Sequence, residues 1–79
     1  MVTVLFIGRL ADTAGGSERA VGAPLLWADL DRAFGAELAA ALRDERVKVA
    51  LDGAVLADRT ALDAGEGAEV AFLPPVSGG

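Results

Sequence analysis

The sequence predicts an α+β fold of two layers, with helical structure on one face of a mixed sheet, and three features lead there. Val2-Thr3-Val4-Leu5-Phe6-Ile7 is a run of β-branched and aromatic residues that stops at Gly8. Leu26, Leu30, Phe34, Leu38 and Leu42 recur every four residues, the spacing of one stripe along a helix. Val47, Val49 and Leu51 alternate with Lys48 and Ala50, the period of a half-buried strand. One amphipathic helical layer packed on one sheet is a stable two-layer solution.

Each element follows from its residues. The first strand, Val2 to Ile7, is apolar on both parities, as a central strand must be. Leu10 to Ala14 supply a helical turn, Gly15-Gly16 a turn, and Ser17 to Val21 a shorter strand paired with the first. Asp29, Asp31 and Arg32 fall off the leucine stripe, and Gly35 interrupts it, so one main helix or two short helical pieces are expected, with two preferred. Phe34 lies on the stripe; fully buried, its truncation to Ala would cost about 3–5 kcal/mol. Asp52-Gly53 suits a tight hairpin turn between Val47–Leu51 and Ala54-Val55-Leu56. Gly65 and Gly67 break the chain before a last strand, Glu69 to Leu73. The order of strands and helix fits a β-grasp arrangement, with the first and last strands adjacent and central. Helices cover one face only, so the other exposes an apolar patch near the end of the chain, the kind of patch that marks a binding surface.

Composition narrows the function. The 79 residues make one domain: residues 1–73 form the β-grasp body and 74–79 an extended tail ending in Gly-Gly. Hydrophobic residues are 53% and charged ones 24%, an ordinary globular balance. There is no cysteine and no histidine, which removes disulfides, Cys/His metal sites, thiol nucleophiles and imidazole acid–base chemistry. The net charge of −5 disfavours nucleic acid and anionic membrane surfaces and points to a partner with a basic surface. No apolar run is long enough to span a bilayer, and the apolar start lacks a basic leader region, so a cytoplasmic protein is expected.

The tail carries the chemistry. Pro74-Pro75 cannot donate to a strand ladder and bias the backbone toward extended geometry. The six residues Pro74-Pro75-Val76-Ser77-Gly78-Gly79 then reach about 20 Å. Gly78 and Gly79, without side chains, suit a channel too narrow for a Cβ. A stiff root and a bare tip fit delivery of the Gly79 carboxylate into another protein's active site. The bland alternative is a frayed terminus. A terminal Gly-Gly arises by chance in roughly one chain in two hundred, a weak signal that the Pro-Pro root on an apolar strand strengthens.

The ending Glu69-Val70-Ala71-Phe72-Leu73-Pro74-Pro75-Val76-Ser77-Gly78-Gly79 closely resembles the small subunits of molybdopterin synthase, within the ubiquitin-like sulfur-carrier family. Val4-Leu5-Phe6, Arg9-Leu10, Asp12 and Gly15 resemble that family at matching spacing. The chain departs from it at Ala11, where a basic residue is common, at Asp52-Gly53 in place of Asn-Gly, and at Ala68 in Gly67-Ala68-Glu69-Val70. The resemblance implies a non-catalytic sulfur-donor subunit. An adenylating enzyme uses ATP to activate the Gly79 carboxylate, and a sulfur-donor enzyme helps convert it to a thiocarboxylate. Gly79, with Gly78, is then inserted into the large catalytic subunit of molybdopterin synthase, where sulfur passes to a pterin precursor. It also implies that Leu73, Pro74, Pro75, Val76 and Ser77 contact partners, and that the chain holds no cofactor or metal of its own.

Other residues read more plainly. Phe72 is expected in the core and Leu73, of opposite parity, at an interface. Trp27 anchors the helix start. Asp58, Asp63, Glu66 and Glu69, like Glu18, Asp44 and Glu45, form a solvated surface rather than a metal site. Gly15-Gly16 lacks the Lys and Ser/Thr of a phosphate loop. Three alternatives stay open: a sulfur carrier for thiazole, transfer RNA or an amino acid; a ubiquitin-like protein modifier; and a non-covalent adaptor with an inert tail.

Overall fold

The first strand sets the sheet. In the structure, a computed structural model that describes residues 1–75, β1 (Val2–Phe6) buries alternate residues Val2, Val4 and Phe6. It is followed by α1 (Arg9–Ala14), β2 (Glu18–Val21), β3 (Leu25–Leu26), α2 (Leu30–Phe34) and α3 (Ala36–Leu42). Then come β4 (Lys48–Leu51), β5 (Ala54–Val55), β6 (Asp63–Ala64) and β7 (Glu69–Leu73). The main sheet has the order β2-β1-β7-β4-β5. β1 and β7 lie parallel at its centre, and the other pairs are antiparallel. This is the expected β-grasp architecture.

The helices cover one face. Val2, Val4 and Phe6 of β1, Val49 of β4, and Val70 and Phe72 of β7 meet Leu10, Leu30, Leu38, Ala39 and Leu42 from the helices in one core. Each fully buried Val, Leu or Phe there contributes roughly 1.5–3 kcal/mol. Gly35 divides the helical layer, as its position in the stripe predicts. Its N–H closes the last turn of α2 on the Asp31 carbonyl (2.8 Å), and its carbonyl accepts the Ala39 N–H of α3 (2.9 Å). It does so at φ 87°, ψ 158°, a backbone region that is essentially restricted to glycine.

Several boundaries differ from expectation. Leu26 is not on the helix stripe: it is extended (φ −107°, ψ 161°), 38% exposed, and paired with Asp63 in a small β3–β6 sheet. A 3-10 turn, Trp27–Asp29, intervenes before α2, and the Asp29 carboxylate accepts the Leu26 N–H (3.0 Å). Phe34 is half-buried rather than fully buried, its ring set edge-on to Phe6 and Phe72 at 5.6 and 6.3 Å. Its truncation therefore costs less than the full-burial range. β1 ends at Phe6 because the chain turns at Gly8; Ile7 is 40% exposed, though its N–H still reaches the Phe72 carbonyl (3.1 Å). β2 begins at Glu18 and β5 stops at Val55, with the Leu56 N–H held by Val49 (2.8 Å). At the β4–β5 turn both Asp52 (φ 49°) and Gly53 (φ 86°) have positive φ, as a two-residue hairpin of this sequence requires. Asp52 also ties the turn to β7 by accepting the Glu69 N–H (2.9 Å).

The acidic residues are more than a solvated surface. Asp58 caps a 3-10 turn, Arg59–Ala61, by accepting the Thr60 N–H (3.0 Å), and Glu66 pairs with the Met1 amine. Among the described residues, no group of three or more His, Cys, Asp or Glu is placed to hold a metal ion. Nor is any helix there long and apolar enough to cross a membrane.

Candidate functional site

β7 leads into the proline root. Its pattern alternates: Val70 and Phe72 are buried against the helices, while Ala71 and Leu73 lie on the other face and are half-buried. The pairing registers build a row across that outer face from Glu18 through Leu5, Ala71 and Ala50 to Val55. Leu73 stands opposite Lys48 in the next row, with Ile7 just past the end of β1. The result is an apolar surface beside the tail root, with Val55 60% and Ile7 40% exposed.

Pro74 and Pro75 follow β7 without belonging to it, since neither has an N–H to donate. Both are half-buried, seated against α1 and the segment after α3. Gly8 makes the seat. A Cβ there would lie 3.2 Å from Pro74 Cγ, and Gly8 caps α1 at φ 58°, ψ −133°. Pro74 and Pro75 share a cleft of about 230 Å³ with Arg9, Leu10, Thr13 and Val47, and Asp44 and Arg46 also line it. Gly8→Ala is expected to destabilise the protein by about 1–3 kcal/mol and to displace Pro74. Thermal melting checks the first effect and the Pro74 side-chain NMR shifts the second.

Local electrostatics hold the cleft wall in shape. Asp44 accepts two bonds from the Arg46 guanidinium (both 3.2 Å) and one from its N–H (2.9 Å). The guanidinium bonds, then the N–H, and the more distant Arg59 charge draw the Asp44 carboxyl down to about 2 from an ordinary 3.8. Asp29 is lowered chiefly by its bond to Arg32, and Asp58 by the Thr60 hydroxyl. A carboxyl depressed in the folded state stabilises it above the ordinary carboxylate range and loses that contribution as pH falls through the folded value. The melting temperature should therefore fall as pH drops from about 4 toward about 2, and Asp44→Asn should make that fall shallower.

Arg59 pins this region from beneath. Its guanidinium donates to the carbonyls of Arg43 (2.7 Å), Val47 (2.9 Å) and Asp44. It also lies 5.0 Å from the Trp27 ring, with Arg43 at 5.7 Å. Trp27 is thus the expected hydrophobic anchor, half-buried against the core with two guanidinium groups near its ring.

Of the site residues expected from sequence, Leu73, Pro74 and Pro75 come together at this root. Val76, Ser77, Gly78 and Gly79 lie outside the described residues. Sequence reasoning missed Gly8 as the seat of Pro74, and Leu5, Ala50 and Val55 as members of the outer-face row with Ala71. Strand parity alone could have placed Leu5 and Ala71 on one face, but the register joining them is a tertiary fact. A larger hollow of about 580 Å³ lies between the end of β2, β3 and α2, and contains none of the tail-root residues.

Known proteins share this architecture. A sequence profile of the ThiS family matches residues 4–79. The crystal structure of SAMP1 from Haloferax volcanii is similar with a TM-score of 0.69 and 26% identity, over 99% of this chain and 98% of that one. No curated protein sequence matches at a significant level.

Proposed function

The chain belongs to the ThiS family of ubiquitin-like sulfur carriers, and on that premise we propose that it carries sulfur as a thiocarboxylate on Gly79 and donates it to a pterin precursor in molybdopterin biosynthesis. The observation that supports this reading is the run Phe72-Leu73-Pro74-Pro75-Val76-Ser77-Gly78-Gly79, in which a buried central-strand residue leads into a proline root and a glycine tip.

The chemistry requires partners. A carboxylate is a poor electrophile, so an adenylating enzyme joins the Gly79 carboxylate to AMP from ATP, releasing pyrophosphate. A sulfur-donor enzyme supplies sulfide, whose sulfur bonds to the acyl carbon as AMP leaves, giving the thiocarboxylate. In the large catalytic subunit of molybdopterin synthase the sulfur bonds to the pterin precursor, and water restores the Gly79 carboxylate. With no cysteine or histidine, this chain has neither a thiol to hold the sulfur nor an imidazole to move the protons. The carrier work in this reading falls to the tail, docking to the outer face, and acid–base catalysis to the partners, in the cytoplasm.

Reconstitution tests the acceptor. Thiocarboxylated chain, the large subunit and the pterin precursor should together yield molybdopterin. Sulfur transfer to a thiazole precursor or a transfer RNA instead, with no molybdopterin formed, assigns the chain to a related pathway. Isopeptide conjugates of higher mass in cell extract would favour a protein modifier, which needs the same activated tail.

The outer face makes its own prediction. Leu73→Asp should weaken docking to the large subunit at least tenfold by calorimetry, because a charge is desolvated at an apolar contact. The melting temperature should fall by less than it does for a core truncation, since Leu73 is only half-buried. Unfolding without any change in affinity would put Leu73 in the core instead.

A further inference from the structure

The net charge of −5 hides an opposite local pattern. Five of the seven cations are engaged by the chain itself. Arg19 donates to the Ala14 carbonyl (2.8 Å) and lies over the Phe6 and Phe34 rings. Arg32 pairs with Asp29 (2.9 Å), Arg43 with Asp31 (2.9 Å) and Arg46 with Asp44 (3.2 Å), while Arg59 is spent on backbone carbonyls. Arg9 and Lys48, both exposed, make no side-chain hydrogen bond or ion pair among the described residues.

These two flank the tail root. Arg9 opens α1 directly after Gly8, on which Pro74 rests, and lines the cleft with Pro74 and Pro75. Lys48, the only lysine in the chain, opens β4 opposite Leu73, on the outer face beside the apolar row. A long exposed cation without an ion pair among the described residues can offer its charge to a neighbour, and here both stand beside the tail root, where a protein enclosing the tail would close around its base. Charges at the rim of an interface steer encounter and set register more than they add affinity.

We infer that the protein that activates the tail presents carboxylates around the mouth of its tail channel, and that Arg9 and Lys48 read them from either side of Pro74. This rests on the tail reading proposed above. It commits to the adenylating enzyme because the sulfur-carrier and modifier readings alike require that step. It also reverses the expectation from net charge: the partner is acidic where it meets the tail, whatever its surface elsewhere.

The test is ATP–pyrophosphate exchange by the activating enzyme with the chain as titrated substrate, at low and high salt. Arg9→Glu and Lys48→Glu should each raise the half-saturating concentration roughly five- to tenfold at low salt, with the maximal rate unchanged. Salt should weaken wild type and bring the variants and wild type together. Arg32→Glu, which alters net charge equally far from the tail root, should stay within about twofold of wild type. Circular dichroism melts confirm that each variant folds. Docking should also protect Lys48 from an amine-acylating reagent, read by peptide mapping on unmutated protein. The inference is overturned if Arg9→Glu and Lys48→Glu match Arg32→Glu, if reversal lowers the half-saturating concentration, or if Lys48 reacts equally fast with the enzyme bound. A wild-type chain that supports no exchange removes the tail reading and this inference with it; an active wild type with indifferent variants removes this inference alone.

Discussion

Deleting Gly78 and Gly79 is expected to abolish ATP-dependent sulfur loading while leaving the melting temperature within about 4 °C of wild type. The two effects separate because the two parts of the chain do different work. The core closes with Phe72, which is fully buried and lies before the tail begins. Deletion puts the terminal carboxylate on Ser77, about 7 Å short of its former reach and on a residue with a side chain. On the proposed reading, a channel shaped for bare glycine would then meet a Cβ, and the carboxylate would stop short of the activating phosphate. Loading at the wild-type rate after this deletion would falsify the assignment of the chemistry to Gly79.

Phe72→Ala should have the largest effect on folding, about 3–5 kcal/mol. Phe72 is 0% exposed on a central strand, stacked on Phe6 with centroids 6.1 Å apart and met edge-on by Phe34 at 6.3 Å. Truncation removes the transfer free energy of the ring and leaves a void that three elements cannot easily collapse into. A domain of this size has roughly 4–12 kcal/mol of stability in total. The midpoint should therefore fall by more than about 12 °C, leaving much of the variant unfolded at physiological temperature. Chemical denaturation measures it directly; a loss below about 1 kcal/mol would mean that the Phe6–Phe34–Phe72 cluster is not the centre of the core.

Much of the fold was legible because a few residues carry unambiguous local signals. Gly35 interrupts a period-four stripe, and only a break in the helix lets such a residue sit there at φ 87°. Val70 and Phe72 alternate with Ala71 and Leu73, so parity alone separates core from outer face. The small β3–β6 sheet was not legible. Two-residue strands have no period, and Leu26 falls four residues before Leu30 by coincidence of spacing. What makes Leu26 extended is the Asp29 carboxylate on its N–H and its pairing with Asp63, neither visible in a hydrophobic pattern. Phe34 kept its place on the stripe but not its burial, because Arg19 rather than an apolar side chain lies over its ring at 5.6 Å.

The site divides the same way. The chemistry proposed for Pro74 to Gly79 rests on residue types alone, since missing N–H groups and missing side chains have consequences wherever they lie. Gly8 is different: its positive φ and the Pro74 Cγ above it exist only once β1, α1 and β7 are assembled. Net charge is a coarse guide for a related reason. A sum over the sequence counts all seven cations alike, whereas among the described residues folding engages five of them and leaves Arg9 and Lys48 exposed at the tail root.

The central claim concerns one atom, an oxygen of the last carboxylate. Intact and fragment mass spectrometry of the chain after incubation with ATP, a sulfur source and its activating enzyme addresses it most directly. The account predicts replacement of one oxygen by sulfur, confined to the fragment that ends in Gly79. Sulfur on any other fragment, or an unmodified chain under conditions in which the enzyme activates another carrier, would contradict it.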